Sequence, residues 1–119
     1  MSDDMKILQY LEAGLRAEGA RQQAIANNVA NINTPGYRRT VVRFEEVLAK
    51  AIDRGQGTRS DQIALEFLQP HDTPVNGNGN DVSLDMEVGE MVKNSLRHET
   101  YMLLLKKKYA QIQEAIRVP

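Results

Sequence analysis

Apolar positions with helical spacing form two long runs in this chain, one at each end, with a less regular stretch between them. In the first run Leu8, Leu11, Leu15, Glu18, Gln22, Ile25, Val29 and Ile32 follow alternating steps of three and four. Six of those eight places are apolar, and this alternation is the rhythm of a coiled-coil seam. Ser2, Asp3 and Asp4 offer N-cap side chains and negative charge for the positive end of the helix dipole. Pro35 stops the run because the residue before a proline avoids the helical region, and Pro-Gly in that order suits a type II turn. The pattern predicts a helix over residues 4–33, about 45 Å long.

The second run repeats the pattern through Leu84, Val88, Met91, Ser95, His98, Met102, Leu105, Tyr109, Ile112 and Ile116. Only Ser95 and His98 are polar there, and Val92, Leu96 and Leu103 widen the apolar face on one side. Ser83 is the N-cap candidate, with Asp85 and Glu87 in the first turn, so the helix is expected over residues 83–117. Between the runs, Tyr37 to Phe44 reads as an extended segment. Phe44, Val47, Leu48, Ala51 and Ile52 then predict a short helix closed by Gly55. "QGTRSDQ" (56–62) is a loop, "IALEFL" (63–68) alternates weakly as one strand or part of a hairpin, and "QPHDTPVNGNGND" (69–81) is rich in turn residues.

The expected fold is mainly α: two long terminal amphipathic helices in an antiparallel coiled-coil pair, with a short irregular middle. Residues 1–35 and 83–119 make the pair as one discontinuous unit, and 36–82 lie between them, poor in core material. The seam is expected to run through Leu8, Leu11, Leu15, Ile25, Val29 and Ile32 on one side. Val88, Met91, Met102, Leu105, Tyr109, Ile112 and Ile116 would face them from the other.

Charge and chemistry narrow the function. The net charge of −1 gives no overall basic field for nucleic acid or an anionic membrane. Arg38-Arg39 and Lys106-Lys107-Lys108 read as solvated faces. No apolar run approaches the roughly 20 residues that span a bilayer, and the acidic, amphipathic N-terminus does not read as a cleavable secretory signal. The absence of cysteine removes disulfides, thiol catalysis and thiolate metal sites.

Of two histidines, His71 stands beside Asp72 in a loop, and His98 falls on the second seam as a partly buried interfacial residue. Neither has a partner at ligand spacing. Neither Ser60 nor Ser83 sits in a nucleophile elbow. Asn76, Asn78, Asn80 and Glu87 match four places of a calcium loop, but aspartate fills the place that needs glycine and most ligand charge is missing. These residues read as a Gly-Asn turn leading into a capped helix. The protein is expected to be no enzyme and to hold no cofactor or metal.

Residues 24–33, "AIANNVANIN", carry no charge on any helix face. Asparagine is a mediocre helix former, and exposed helices normally carry charge. Either the helix frays into an Asn-rich turn, or it is surrounded by protein, where amides hydrogen-bond without the penalty of buried charge. The second reading points to a subunit packed among neighbours.

"RQQAIANNVANINTPGYRRTVVRFEEVL" resembles the N-terminal motif of the flagellar rod and hook axial proteins, in particular its proximal-rod members. Asn27, Asn28, Ala30, Asn31, Thr34, Pro35, Gly36, Tyr37 and Phe44 carry the resemblance as the assembly motif. "NGNDVSLDMEVGEMVKNSLRHETYMLLLKKKYAQIQEAI" is similar to the closing helix of the same proteins, through Asn80, Val82, Leu84, Asp85, Glu87, Asn94, Leu96, Arg97, Leu104 and Lys107. Ser83 and His98 depart from the usual aspartate and tyrosine. Another rod type has extra residues between the Asn-Thr and the tyrosine that this sequence lacks.

The resemblance implies a structural subunit of the basal-body rod, polymerising helically to pass motor torque to the hook. It implies synthesis in the cytoplasm and export by the flagellar type III apparatus without a cleaved signal, with Ile7, Leu8 and Leu11 as export-signal candidates. The partners it implies are other rod subunits, the adaptor to the membrane ring and the export gate. A soluble coiled-coil adaptor or export chaperone is the competing reading. The isolated protein is expected to be monomeric and partly disordered at its ends.

Overall fold

The computed structural model describes residues 3–54 and 63–117. The Ser2 cap, the closing Gly55, and the 56–62 loop with Ser60 lie outside them. The element order is α1 (Asp3–Ala30), β1 (Val41–Arg43), α2 (Glu45–Asp53), β2 (Glu66–Leu68) and α3 (Leu84–Arg117). Both terminal helices form as the spacing predicts, and they give the molecule extents of 68 × 27 × 16 Å. They pair antiparallel: Asn28 meets Glu87, Glu18 meets Asn94, and Gly14 meets Tyr101.

Each helix ends for a local reason. At the start of α3, Ser83 Oγ accepts the Met86 N–H at 3.3 Å, the N-cap bond expected of it. α1 stops at Ala30, three residues short of the predicted end. There the backbone tightens, with Ile32 N–H bonding Val29 O (3.2 Å) and Thr34 N–H bonding Asn31 O (3.0 Å). A helix end leaves carbonyls without intrahelical donors, and here a distant side group supplies them. Asn80 Nδ2 donates to both Asn31 O and Thr34 O at 2.8 Å. The Thr34–Tyr37 turn follows, closed by Tyr37 N–H to Thr34 O at 3.2 Å, with Gly36 at φ 75° as a type II turn requires.

In the middle, β1 and β2 pair antiparallel with Val42 opposite Phe67. This segment is richer in core than its composition suggests. Ala13 and Ala17 of α1, Phe44 and Ile63 form the buried apolar cluster, and Tyr10, Val47, Leu48 and Leu65 pack against it. The core therefore lies between α1 and the middle segment, not along a seam between α1 and α3.

That displacement corrects the expected seam on α3. The residues of α3 buried in the fold are Glu87, Asn94 and Leu105, with Arg97, Tyr101 and Lys108 partly covered. Glu87, Asn94, Arg97, Tyr101 and Lys108 each fall one residue before an expected position, whereas Leu105 is itself an expected seam residue and is buried. Val88, Met91, Met102, Tyr109 and Ile116 are exposed. Tyr109 still reaches α1 by donating its hydroxyl to Glu12 Oε1 at 3.1 Å, and Ile112 is partly buried. One residue is about 100° of rotation, so the apolar stripe turns outward. The physical reason is the partner surface. Gly14 lies so close to Tyr101 that a Cβ there would overlap the ring, and Glu18 offers a carboxylate where a leucine would sit in a seam. On α1 the expected line fares better: Leu8 and Ile25 are buried, and Leu11, Leu15, Val29 and Ile32 are half-buried. His98 is exposed, not interfacial.

Candidate assembly site

The amide-rich stretch that looked wrong for a surface helix is half of a polar clasp. Asn28, 1% exposed, points from α1 at the backbone that returns after the Pro-Gly turn. Its Oδ1 accepts the Thr40 N–H (2.9 Å) and the Tyr37 hydroxyl (3.0 Å). Its Nδ2 donates to Thr40 O at 3.0 Å and to both Glu87 carboxylate oxygens at 3.2 Å. One amide thus pairs with Thr40 as a neighbouring strand would, and it also ties in α3. Leucine here would leave both backbone polar groups of Thr40 without these partners, which is costly when buried.

Around Asn28 the clasp spreads through ion pairs. Glu87, fully buried, accepts from Arg39 Nε at 2.8 Å. Arg39 Nη1 lies 3.3 Å from Asp72. Asp81 accepts the Arg39 N–H at 2.6 Å and Arg38 Nε at 3.0 Å. Its own carbonyl takes the Thr73 hydroxyl at 2.6 Å. Burial alone would raise the Asp81 carboxyl, but the Arg39 amide and the Arg38 guanidinium outweigh it and hold the acid below its ordinary value.

A second clasp lies about ten residues along α1. Glu18, also fully buried, accepts from Arg21 Nη1 (2.7 Å), Arg97 Nε (2.9 Å) and Asn94 Nδ2 (3.2 Å). Asn94 also donates to Glu18 O at 2.7 Å. Arg21 reaches on to Glu45 of α2 through Nη2 (2.5 Å) and Nη1 (2.9 Å). That bond draws the Glu45 carboxyl below its usual range, with burial opposing.

These two depressed carboxyls fix a sign. Their folded pKa lies below the unfolded value, so the unfolded protein binds protons first as acid is added. The stability they contribute is complete above about pH 4.3 and is lost as pH falls through the folded values. Denaturation midpoints measured between neutral pH and pH 3 are expected to fall, and Asp81→Asn to flatten that fall. Glu45 is largely exposed, so its share is small and screened. A midpoint independent of pH over that range would contradict this assignment.

The assembly-motif residues divide into two sets. Asn28, Gly36, Tyr37 and Phe44 hold the fold together, and Asn31 turns its amide back onto Asn27 O at 2.8 Å and accepts the Thr34 hydroxyl. Asn27, Ala30, Thr34 and Pro35 face solvent. With Gly19, Gln22, Gln23, Ala26 and Asn33 they leave a small-residue, uncharged outer face on α1 and the turn that follows it. Beside it, Ala20, Gln23, Ala24, Asn27, Tyr37, Thr40 and an exposed Phe67 line a groove of about 320 Å³. On the other helix, eleven of the sixteen exposed large hydrophobics among the described residues belong to α3, including Val92, Leu96 and Leu103. Of the export-signal candidates, Ile7 is exposed, Leu8 buried and Leu11 half-buried.

Sequence reasoning missed Glu18 as an anchor, together with Gly14, Arg39, Tyr101 and the buried faces of Asn94 and Arg97. The available signal was Glu18 itself, a charge sitting on a seam position. No cluster of potential metal ligands occurs among the described residues. The calcium-loop residues serve elsewhere, Asn80 on the end of α1 and Glu87 in the clasp.

Residues 8–38, which hold the α1 half of both clasps and the Pro-Gly turn, match the family model described as "Flagella basal body rod protein". Over nearly the whole length the sequence is similar to curated relatives of one kind. It is 26% identical over 118 residues to the flagellar basal body rod protein FlgB of Bacillus subtilis, covering 92% of each protein. It is 29% identical over 116 residues to FlgB of Borreliella burgdorferi, covering 82% of this protein and 86% of the relative. With FlgB of Salmonella typhimurium it shares 26% over 116 residues, 82% and 83% of the two proteins. Together these matches support a flagellar basal-body rod protein of the FlgB type. Its role is that of a structural subunit of the basal-body rod. The polar clasps shape the fold, and most of the large apolar residues of α3 are left at the surface.

Proposed function

We propose that this protein assembles into the proximal rod by burying the outward stripe of α3 against neighbouring rod subunits. The observation that carries the reading is that α3 uses its polar side to hold α1 and leaves its apolar side to solvent along most of its length. Exposed apolar surface on this scale marks a protein contact. The stripe of α3 and the uncharged face of α1 are different surfaces. Contacts between unlike faces propagate into open helical arrays, the geometry a rod needs to carry torque to the hook. Residues 1–35 and 83–119 act together as the axial unit, and 36–82 brace α1.

The partners in this reading are other rod subunits, the adaptor that joins the rod to the membrane ring, and the type III export apparatus. Ile7, Leu8 and Leu11 serve as export signal on a protein made in the cytoplasm, and no signal peptide is cleaved. The isolated protein is a monomer whose helix ends gain order on assembly, and its role involves no catalysis. No helix among the described residues is long and apolar enough to cross a membrane.

The test is electron microscopy of basal bodies from a strain deleted for this protein, complemented with the wild type or with Leu96→Glu/Leu103→Glu. Both leucines are 60% exposed, so the variant is expected to keep its helicity and to lose no more than about 0.5 kcal/mol per site. Membrane rings without rod or hook are expected from the deletion and from the double variant, with rods restored by the wild type. Normal rods in the deletion strain would end the rod reading. Normal rods with the double variant would end the role of the α3 stripe.

A further inference from the structure

The run "NGNGN" at residues 76–80 holds two Asn-Gly pairs, and the structure separates them chemically. Spontaneous deamidation at such a pair begins when the backbone nitrogen of the glycine attacks the amide carbon of the asparagine side group. A new carbon–nitrogen bond closes the ring, the carbon–nitrogen bond of the original amide breaks, and ammonia leaves. Water then opens the succinimide ring to aspartate or isoaspartate, so amide and water become acid and ammonia with no oxidant or catalyst. The step needs a free glycine nitrogen and an asparagine amide that can turn onto it.

At Asn78 both are engaged. The Gly79 N–H is donated to Asn76 O at 2.9 Å, and Asn78 Oδ1 accepts the Asn80 N–H at 3.2 Å. Asn78 O in turn accepts the Gly36 N–H at 2.8 Å, so its backbone is pinned as well. Gly79 sits at φ 84°, its α-carbon side against Gly36. At Asn76 the amide is exposed and the space at Gly77 is open, and neither the Asn76 amide nor the Gly77 N–H is hydrogen-bonded to another described residue. This is the first corner of a tight turn, where the nitrogen after the leading residue points to solvent.

We infer that Asn76 is a spontaneous deamidation site of the folded protein and that Asn78, in an identical dipeptide, is protected by the turn. The consequence reaches α1. Asn76 donates its N–H to Asn80 O at 2.8 Å and accepts from Gly79, and this turn holds Asn80 against the carbonyls that end α1. Isoaspartate at 76 adds a methylene to the backbone inside that turn, which displaces Asn80 and loosens the end of α1 at the Pro-Gly turn.

The experiment incubates the full-length protein at mildly alkaline pH and follows both sites by peptide mass spectrometry and isoaspartyl methyltransferase labelling. The folded protein is expected to convert Asn76 about tenfold or more faster than Asn78, since Asn78 must first give up two hydrogen bonds. In urea the two rates should become comparable. Gly77→Ala, which introduces no clash, should slow Asn76 and leave Asn78 unchanged. The isoaspartate-76 fraction, separated by charge, should exchange its Gly36 and Asn80 amide hydrogens faster than the intact protein. Equal rates at the two sites in the folded protein, or a faster Asn78, would overturn the assignment. Unchanged exchange at Gly36 and Asn80 would overturn the consequence for α1.

Discussion

Replacing Glu87 by alanine is expected to destabilise the folded protein by about 3–5 kcal/mol, measured as the loss in unfolding free energy by urea titration with helicity as the probe. The carboxylate is fully buried and accepts from Arg39, itself 3% exposed, and from Asn28. Taking it away leaves a guanidinium in the interior with Asp72, across 3.3 Å at the surface, and the more distant Glu90 to balance it. Most of the expected loss is the penalty of that stranded charge, not the worth of the bond itself. A second variant separates the two ideas. Glu87→Met combined with Arg39→Met removes both charges and is expected to recover most of the loss, because buried ion pairs often exchange for packed apolar residues at little net change. Should the double variant be as unstable as Glu87→Ala, the clasp would be stabilising in its own right. A loss within about 1 kcal/mol for the single variant would mean that water reaches Arg39 and the clasp is not dry.

The clasps hold register better than they add stability. A seam of leucines tolerates a shift of a turn, because one leucine packs much like the next. Asn28 fits Thr40, Tyr37 and Glu87, and Glu18 fits Asn94, Arg97 and Arg21. Polar groups at a helix interface are best attested as devices of register, and they act so here by leaving wrong pairings with unsatisfied buried charge. A rod subunit gains from this division. Its internal pairing is set by hydrogen bonds, and Leu84, Leu96, Leu103 and Leu104 of α3 remain at the surface.

How much of this was legible in the sequence follows from what each signal encodes. Periodicity located α1 and α3 within a few residues, and Ser83, Pro35 and Gly36 marked ends and turn by local chemistry that needs no tertiary partner. It misassigned the inward face of α3, because hydropathy assumes that the apolar side turns in. In a subunit built for assembly that assumption fails, and the polar line one residue away faces the partner instead. Periodicity gives no sign that Glu87 and Asn94 are buried, since their partners Arg39 and Glu18 lie 48 and 76 positions away in the sequence. Within the charge-free stretch Asn28 is bonded to the protein's own returning backbone, whereas Asn27, Ala30 and Asn33 face solvent.

Phe44→Ala is expected to cost about 3–5 kcal/mol, the range for truncating a buried aromatic. Phe44 is 0% exposed and central to the apolar cluster with Ala13, Ala17 and Ile63. Two of those neighbours are alanines, too short to fill the cavity, and any closure would have to come from Tyr10, Val47, Leu48 and Leu65 around it. Against a typical total of about 5–15 kcal/mol, the loss removes much of the stability, yet it need not fall evenly. The cluster joins α1 to the middle segment, whereas the clasps join α1 to α3 and to the strand after the turn. Native-state hydrogen exchange is therefore expected to show the amides of α2 and β2 opening far more readily in the variant. Those near Asn28, Glu87 and Asn94 should keep most of their protection. Arg21 still grips Glu45, so α2 should swing on its first turn instead of separating. A uniform loss of protection over both helices would show core and clasps to be one cooperative unit. Loss confined to the middle would show that the helix pair stands on its polar contacts and keeps its register while the brace opens.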